Sequence, residues 1–279
     1  MLSKDYPIHQ ICHALNVNRS SYLYWIKYGV IHQKNQTFFY CQIIQAYADS
    51  KGIYGAPKIT YVLRSQGIFC SISRVSKAMA LLGIRSIVNK KFPKKVSRMT
   101  EKEKALIVNL IKDLEITHLN QVWTTDITYI PTINEGTFYL ISYIDYFSKK
   151  VVAWGLFEDQ KADKLVLVLK KAIKERKPSP GLISHSDKGT QMRSKLYRNF
   201  LRKHNIAPSY TSLNHSCDEN AAQESFHASL KKECLYQHKI YSFEDAYKYI
   251  YDYIEGFYNP IRLHSSIGYL SPIQFESQL

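Results

Sequence analysis

Polar and apolar residues alternate between residues 122 and 157 of this chain, and the pattern predicts consecutive β-strands. In the first strand, Thr124, Asp126 and Thr128 share one face, and apolar residues occupy the other, as a half-buried strand requires. Short polar stretches with turn residues separate the runs. The expected strands cover Val122–Pro131, Thr137–Tyr146 and Lys150–Phe157.

After these strands the period of the pattern changes, and predicted helices alternate with predicted strands. Three meandering strands followed by such an alternation predict an α/β domain with a mixed sheet. Ser242, with Asp245 three residues later, resembles a capping box that opens a further helix ending near Phe257. The other expected elements are a helix over Lys161–Lys174, a strand over Leu182–His185, a helix over Lys195–His204, a strand over Ile206–Tyr210 and a helix over Asn220–Glu233.

The first third of the chain shows helical spacing only. A helix is expected from Ile8, with a break at residues 16–19 and a second helix capped by Ser20 or Ser21. This is typical of part of a helix-turn-helix motif, and equally of a plain helical hairpin. Residues 32–37 are interpreted as a linker. Three short helices between residues 38 and 88, separated by glycines, then predict a small all-α helix-turn-helix domain.

Charge is distributed unevenly along the chain. The formal net charge is +15, and residues 1–100 hold 15 Lys and Arg against 2 Asp and Glu. The excess can serve solubility alone, but a basic segment favours a polyanionic partner, DNA or RNA. The candidate phosphate contacts lie in two regions, and each has an alternative interpretation. Those in the helical domain can form an ordinary solvated face, and those in the basic linker can belong to a merely solvated tether. The candidates are Lys58, Arg64, Arg74, Lys77 and Arg85 in the helical domain, and Lys90, Lys91, Lys94, Lys95 and Arg98 in a basic linker with a short helix over 89–120.

Composition excludes several classes of protein. No long uncharged apolar run could span a membrane, and the start of the chain lacks an apolar signal core, so a cytoplasmic protein is expected. The five cysteines form no C-x-x-C pair, which favours reduced thiols. His9 and His13 are followed only by Cys41 without a second paired cysteine, so zinc is not expected.

Three carboxylates form the candidate catalytic set. Asp126 lies on a strand, Asp187 at the end of another, and Glu224 on a helix face shared with Asn220, His227 and Lys231. Carboxylate oxygens are the ligands of Mg²⁺, and several acids sharing two such ions can support displacement at a phosphodiester. We expect Mg²⁺, with Mn²⁺ as a substitute, and a structural role for Asp145.

Seven motifs resemble those of retroviral-integrase-like transposases, most closely the second-reading-frame product of the insertion-sequence three family. The resemblance covers nearly the whole chain. It implies a ribonuclease-H-like core over 121–235, preceded by helical segments over 1–31 and 38–88 and followed by a helical extension over 236–279. The motifs are Trp123-x-x-Asp126-Ile127-Thr128, Tyr143–Lys149, His185-Ser186-Asp187-Lys188-Gly189-x-Gln191, Asn220-Ala221-x-x-Glu224-Ser225-Phe226, Leu230-Lys231-x-Glu233, Tyr258-Asn259-x-x-Arg262-x-His264-Ser265 and Ser271-Pro272.

The resemblance also implies partners and residue roles. The expected substrate is double-stranded DNA, namely the terminal inverted repeats of the element and a target. The protein is expected to bind this DNA as a homo-oligomer associated with the nucleoid. The upstream-frame protein is a further expected partner. The implied reaction is cleavage at the element ends followed by strand transfer, through a circular intermediate. Lys188, Asn220, Lys231, Arg262 and His264 are the candidate DNA contacts around the catalytic core, and a surface ion pair is the alternative for Lys231.

Other interpretations remain open. A sequence-specific DNA-binding repressor descended from a transposase is the alternative from another class, and a metal nuclease without strand transfer is the alternative enzyme. The motif spacing also departs from the family, since 36 residues separate Asp187 from Glu224 where the family usually has 35. Either a loop carries one extra residue, which we favour, or Glu219 replaces Glu224 as the ligand.

Overall fold

The computed structural model describes residues 6–87, 108–212 and 220–279. It divides into two compact units, Met1–Ser86 and Ile87–Leu279. The first unit contains helices only in its described part. These are α1 (Ile8–Ala14), α2 (Arg19–Asp49), α3 (Ala56–Ser65) and α4 (Ile72–Leu81).

Helix α2 is longer than predicted and includes the residues interpreted as a linker. Residues 32–37 hold neither Gly nor Pro, and their polar side chains are compatible with an exposed helix. The hydroxyl of Thr37 donates to the Gln33 carbonyl, and the Gln36 amide donates to the Tyr40 hydroxyl one turn later. The linker prediction is therefore wrong, because residues 32–37 lie inside a continuous helix. The predicted cap is also wrong, since the side chain of Asn18 accepts from the Ser20 and Ser21 amides.

The end of α2, α3 and α4 pack together as the predicted trio of short helices. Ser71 caps α4 by accepting from the Arg74 amide. Gly67 has a φ of +80°, a left-handed backbone that glycine adopts at little cost, and it ends α3. The apolar side chains of the three helices meet in a buried core, which includes Phe39, Ile43, Ile59, Leu63 and Val75.

The second unit is built on one mixed five-stranded sheet with the order β3-β2-β1-β4-β5. Strands β1 and β2, and β2 and β3, pair antiparallel, whereas β1 and β4, and β4 and β5, pair parallel. The predicted α/β class is confirmed. The strands are β1 (Val122–Pro131), β2 (Thr137–Asp145), β3 (Val151–Phe157), β4 (Ile183–Ser186) and β5 (Ala207–Tyr210).

Helices cover both faces of this sheet. The main core lies between the sheet and α5 (Ala162–Arg176) with α6 (Lys195–Lys203), where Trp123 and Tyr143 are fully buried. On the other face lies α7 (Ala221–Glu233), whose buried residues include Phe226 and Leu230. The remaining helices of the described part are α8 (Phe243–Tyr253), which continues into a π-turn over Ile254–Tyr258, the short α9 (Pro272–Glu276), and single 3₁₀ turns at Leu235–Gln237 and Ser265–Ile267.

The residues after α7 pack on the core of the same unit. Asn259 pairs with the backbone of Val151 through both its amide oxygen and its amide nitrogen. Glu276 binds Arg176 at 2.7 Å and Lys150 at 2.9 Å. Ser242 caps α8 as predicted by accepting from the Asp245 amide, but Asp245 accepts from Tyr241 rather than from Ser242. No helix in the described ranges is long and apolar enough to cross a membrane.

Candidate active site

The parallel pairing of β1 with β4 brings two of the predicted carboxylates together. The last residues in register are Thr125 and Ser186, so Asp126 and Asp187 each follow by one position on neighbouring strands. Neighbouring strands lie about 4.8 Å apart, and residues in parallel register point to the same face. The topology alone therefore places these two acids side by side where the strands diverge.

The charge of Asp126 raises the cost of ionising Asp187. Burial, followed by the negative charge of Asp126, raises the pKa of Asp187, and the Gly189 amide opposes this by donating to its Oδ1 at 2.9 Å. Asp126 Oδ1 accepts from the Ile127 amide at 2.8 Å. Oxygen donors that repel one another suit a hard divalent cation, whose charge would relieve the repulsion. The chemistry of this pair fits the expected Mg²⁺.

Helix α7 is fixed to the sheet by buried polar contacts beside Asp126. The side-chain amide of Gln223 donates to the carbonyl oxygens of Thr124 at 2.7 Å and Ser142 at 3.1 Å. Its oxygen accepts from the Ser142 hydroxyl at 3.0 Å. Since Gln223 is fully buried, each of these bonds satisfies a group that water does not reach.

His227 connects the same network to the carboxylate pair. Its Nδ1 lies 3.4 Å from Asp126 Oδ2, and its Nε2 lies 3.4 Å from the Ser142 hydroxyl. The sequence placed His227 on the helix face of Glu224 without giving it a role, and it gave no role to Gln223. Gln223 lies at helical spacing from the apolar Phe226 and Leu230, which indicates that it is buried but not which groups it contacts.

Glu224 does not join the pair. It lies in the first turn of α7 and is exposed, since each helical residue turns about 100° and its neighbour Gln223 points into the interior. Within residues 6–87, 108–212 and 220–279, no three His, Cys, Asp or Glu side chains are grouped closely enough to hold a metal ion. Glu219, the alternative ligand, lies outside the described residues.

Three polar residues expected near the carboxylate pair, Lys231, Asn220 and Lys188, have different surroundings. Lys231 is half-buried, and burial lowers its pKa while the charge of Asp126 opposes that change, so the two side chains lie within electrostatic reach. Asn220 is buried, and its Oδ1 makes no hydrogen bond among the described residues. Lys188 is also buried, and its Nζ donates to the Ser212 carbonyl at 2.6 Å, so this amine is hydrogen-bonded within the protein.

Arg262, which is expected to contact DNA, is hydrogen-bonded within the protein. It donates to both oxygens of Glu233, at 2.6 and 2.8 Å, and to the Ser229 hydroxyl at 2.9 Å. Tyr253 donates to the same carboxylate at 2.6 Å. This arginine therefore neutralises a buried acid of α7, and its contact with DNA stays a prediction. His264 packs edge to face on Tyr258, with ring centroids 4.9 Å apart.

Asp145 has the structural role predicted for it. It is fully buried, and it accepts from the backbone amides of Asn120, Phe147 and Ser148. The guanidinium of Arg176 lies 3.6 Å from its Oδ2. Asp145 thus closes the turn between β2 and β3 and takes no part in the carboxylate pair.

The basic residues of the first unit differ in their surroundings. Arg64 donates twice to the Cys70 carbonyl, at 2.9 and 2.7 Å, so it supports the turn between α3 and α4. Arg74 lies over the ring of Phe39 at 4.2 Å and Lys58 near the ring of Tyr54 at 5.0 Å. Arg74 and Lys77 line a cavity of about 620 Å³ between α2 and α4. The backbone carbonyl of Arg85 accepts a hydrogen bond from the Tyr47 hydroxyl. The candidate contacts of the basic linker, Lys90, Lys91, Lys94, Lys95 and Arg98, lie outside the described residues.

Three segments of the chain match known families. The family described as "Integrase core domain" matches residues 117–216, and a second family of the same description matches residues 224–279. The family described as "HTH-like domain" matches residues 34–92. The first two matches together include Asp126, Asp187 and Glu224, and the third includes α3 and α4.

Curated relatives match over most of the chain. Transposase InsF for insertion sequence IS3A of Escherichia coli (strain K12) is 34% identical over 280 residues, which are 98% of this chain and 95% of that protein. The transposase for insertion sequence element IS904 of Lactococcus lactis is 38% identical over 238 residues, 84% of this chain and 92% of that protein. The catalytic domain of Mos1 mariner transposase superposes with a TM-score of 0.43 and 17% identity, covering 50% of this chain and 71% of that one.

Proposed function

The chain belongs to the IS3 family of insertion-sequence transposases with an integrase core, and we propose that it cleaves DNA at the element ends and transfers the freed 3′-hydroxyl to a new phosphodiester. The observation that carries this proposal is the side-by-side placement of Asp126, within β1, and Asp187, directly after the end of β4. Acids so placed suit metal-dependent phosphoryl transfer better than a purely structural role, because their repulsion costs stability unless a cation binds.

Asp126, Asp187 and Glu224 would hold Mg²⁺, with Mn²⁺ as a substitute. Bound divalent ions supply activation of the attacking oxygen and stabilisation of the leaving oxygen in this kind of displacement. Asp126 and Asp187 are supported as ligands by their register, and Glu224 by its place in the Asn220-Ala221-x-x-Glu224 motif. Gln223 and His227 would maintain the position of α7 against β1.

The reaction would proceed in two displacements at phosphorus. In the first, water attacks a phosphodiester at the element end, a proton leaves the water, and the 3′-oxygen departs as a hydroxyl. In the second, that hydroxyl attacks another phosphodiester and a different 3′-oxygen departs. Lys231 would bind a phosphate near Asp126, and Asn220 and Lys188 would orient the substrate. No covalent intermediate between protein and DNA is required.

The first unit would bind the double-stranded element ends through its helix-turn-helix. Its support is the match of residues 34–92 and the positive charge of residues 1–86, which hold 10 Lys and Arg against 2 Asp and Glu. Arg74 and Lys77 on α4 are the strongest candidates for phosphate contacts, since Arg64 already supports a turn. We further propose that the protein acts as a homo-oligomer on DNA, with the upstream-frame protein as a partner.

A plasmid carrying the cognate element ends tests this function against its alternatives. We expect Mg²⁺-dependent cleavage and joined products. Binding without cleavage would instead identify a DNA-binding repressor, and cleavage without joining would identify a nuclease.

A further inference from the structure

A groove of about 640 Å³ lies between the end of β1 and the segment after α7. Such a volume is in the range of about 300–1,000 Å³ that is common for ligand sites. The backbone closes one end of it, where the amides of Ile133 and Asn134 donate to the carbonyls of Ile240 and Tyr241. The lining consists of Tyr129, Ile130, Pro131, Thr132, Ile133, Lys231, Leu235, Tyr236, His238, Lys239 and Ile240.

Three exposed aromatic and apolar side chains line this groove. Tyr129 is 53% exposed, Tyr236 57% and Ile133 61%. The ring of Tyr129 is held edge to face against Tyr139, with centroids 5.4 Å apart. The ring of His238 is stacked on Tyr249 at 4.2 Å. Exposed large apolar side chains grouped in this way mark binding sites rather than ordinary surface.

The charge of the groove is positive. Lys231 and Lys239 line it, and none of its lining residues, all of which the structure describes, is Asp or Glu. A ligand that combines a flat apolar ring with negative charge matches both features. A nucleotide has this chemistry, since its base stacks on aromatic rings and its phosphate binds lysine.

The groove adjoins the carboxylate pair. Ile130, which lines the groove, follows Asp126 by four positions on the same face of β1, roughly 13 Å along the strand. Strand β4 pairs with β1 only as far as Thr125, so it does not cover the edge of β1 beyond Asp126. Lys231 belongs to both places, because it lines the groove and lies within electrostatic reach of Asp126.

We propose that this groove binds an unpaired nucleotide of the DNA next to the bond that is cut. Its base would stack on Tyr129 and Tyr236, and its phosphates would contact Lys231 and Lys239. The ligand is single-stranded because a duplex hides the faces of its bases, whereas an unpaired base offers its ring for stacking. The location relies on the proposed function, since it takes Asp126 to mark the reaction centre.

The test uses the full chain in EDTA, with a DNA duplex that carries a short single-stranded tail containing 2-aminopurine. A blunt duplex of the same sequence is the comparison. We expect the tail to lose fluorescence on binding, because stacking on tyrosine quenches 2-aminopurine. The double variant Tyr129→Ala/Tyr236→Ala should abolish the quenching and weaken binding of the tailed duplex at least about fivefold, with the blunt duplex little changed.

Three further variants sharpen this test. Tyr236→Phe keeps an aromatic ring, so we expect it to retain the quenching. Lys239→Ala should lower the salt dependence of binding to the tailed duplex by about one unit of slope. Tyr251→Ala is the matched control, because Tyr251 is 50% exposed on α8 and does not line the groove. It should behave as the wild type.

Quenching that persists in the double variant, or that Tyr251→Ala removes equally, would overturn the proposal. Loss of self-association in the double variant with tail binding unchanged would also overturn it, and would identify a protein interface instead. The readout needs neither metal nor cleavage, so Asp187→Asn should leave it intact. If Asp187→Asn still joined DNA ends, the proposed catalytic site would fail while the groove assignment stood.

Discussion

Arg262 and Glu233 form a two-point ion pair in the protein interior, with Nη2–Oε1 and Nε–Oε2 distances of 2.6 and 2.8 Å. The pair joins the end of α7 to the turn after α8, and Tyr253 adds a third hydrogen bond to the same carboxylate. The residues after position 235 therefore fix the helix that carries Glu224.

Arg262→Ala should destabilise the protein strongly. It leaves the buried carboxylate of Glu233 without its cation, and breaking such a pair costs about 3–5 kcal/mol of unfolding free energy. Urea or thermal unfolding measures the loss. Arg202→Ala, at an exposed position on α6, is the control and should change stability by less than about 0.5 kcal/mol. A stable Arg262→Ala protein with weakened DNA binding would support the role predicted from the sequence.

Asp187→Asn should stabilise the metal-free protein at neutral pH. A carboxyl whose pKa is raised by folding costs stability once it ionises, so the cost grows as pH rises above the unfolded value of about 3.9. Although its carboxyl group is surrounded by protein on the side of Asp126, much of the Asp187 residue is accessible to solvent, so screening keeps the gain small, about 1–3 °C in Tm.

The gain in Tm from Asp187→Asn should be larger at pH 7 than at pH 4. Near the lower pH the side chain at position 187 is largely uncharged in both folded proteins. Mg²⁺ should raise the Tm of the wild type more than that of the variant. Thermal scans in EDTA and in Mg²⁺ at the two pH values measure these differences. Equal Tm values throughout would show that Asp126 and Asp187 do not repel each other.

The salt dependence of DNA binding should reside in the first third of the chain. Residues 1–100 carry a net charge of +13, and residues 101–279 only +2. The logarithm of the affinity should thus fall steeply with the logarithm of salt concentration for the full chain, and shallowly for residues 99–279. Equal slopes would place the DNA-binding surface on the second unit.

Glu224→Gln should abolish cleavage and strand transfer, whereas Glu219→Gln should reduce them at most. The motif around Glu224 is unbroken, and an extra residue in a loop costs little. Assays on pre-cut and uncut ends compare the two variants. The reverse pattern would make Glu219 the ligand.

The sheet could be predicted because its strands alternate regularly. The bounds of β1 match the prediction, and each of the other strands differs by one residue at one or both ends. The adjacency of Asp126 and Asp187 follows once β4 is known to lie beside β1, a parallel pairing that no local pattern encodes. The proximity of Asp126 and Asp187 could therefore be inferred only from the motif resemblance or from the structure.

The errors and omissions have local physical causes. Residues 32–37 are polar without Gly or Pro, and such a stretch suits an exposed helix as well as a linker. Arg262 lies 29 residues from its partner Glu233, and sequence periodicity carries no information about such a pair. For the same reason Gln223, whose hydrogen bonds reach β1 and β2, could not be assigned a role from its position on α7.

The most direct measurement of the central claim is a strand-transfer assay with Asp187→Asn on DNA carrying the element ends. We expect this variant to form neither cleaved nor joined products in Mg²⁺, while its DNA binding equals or exceeds that of the wild type. Asp163→Asn, which neutralises an exposed acid in the first turn of α5, should remain fully active. Joined products from Asp187→Asn in Mg²⁺ would contradict the assignment of the catalytic site.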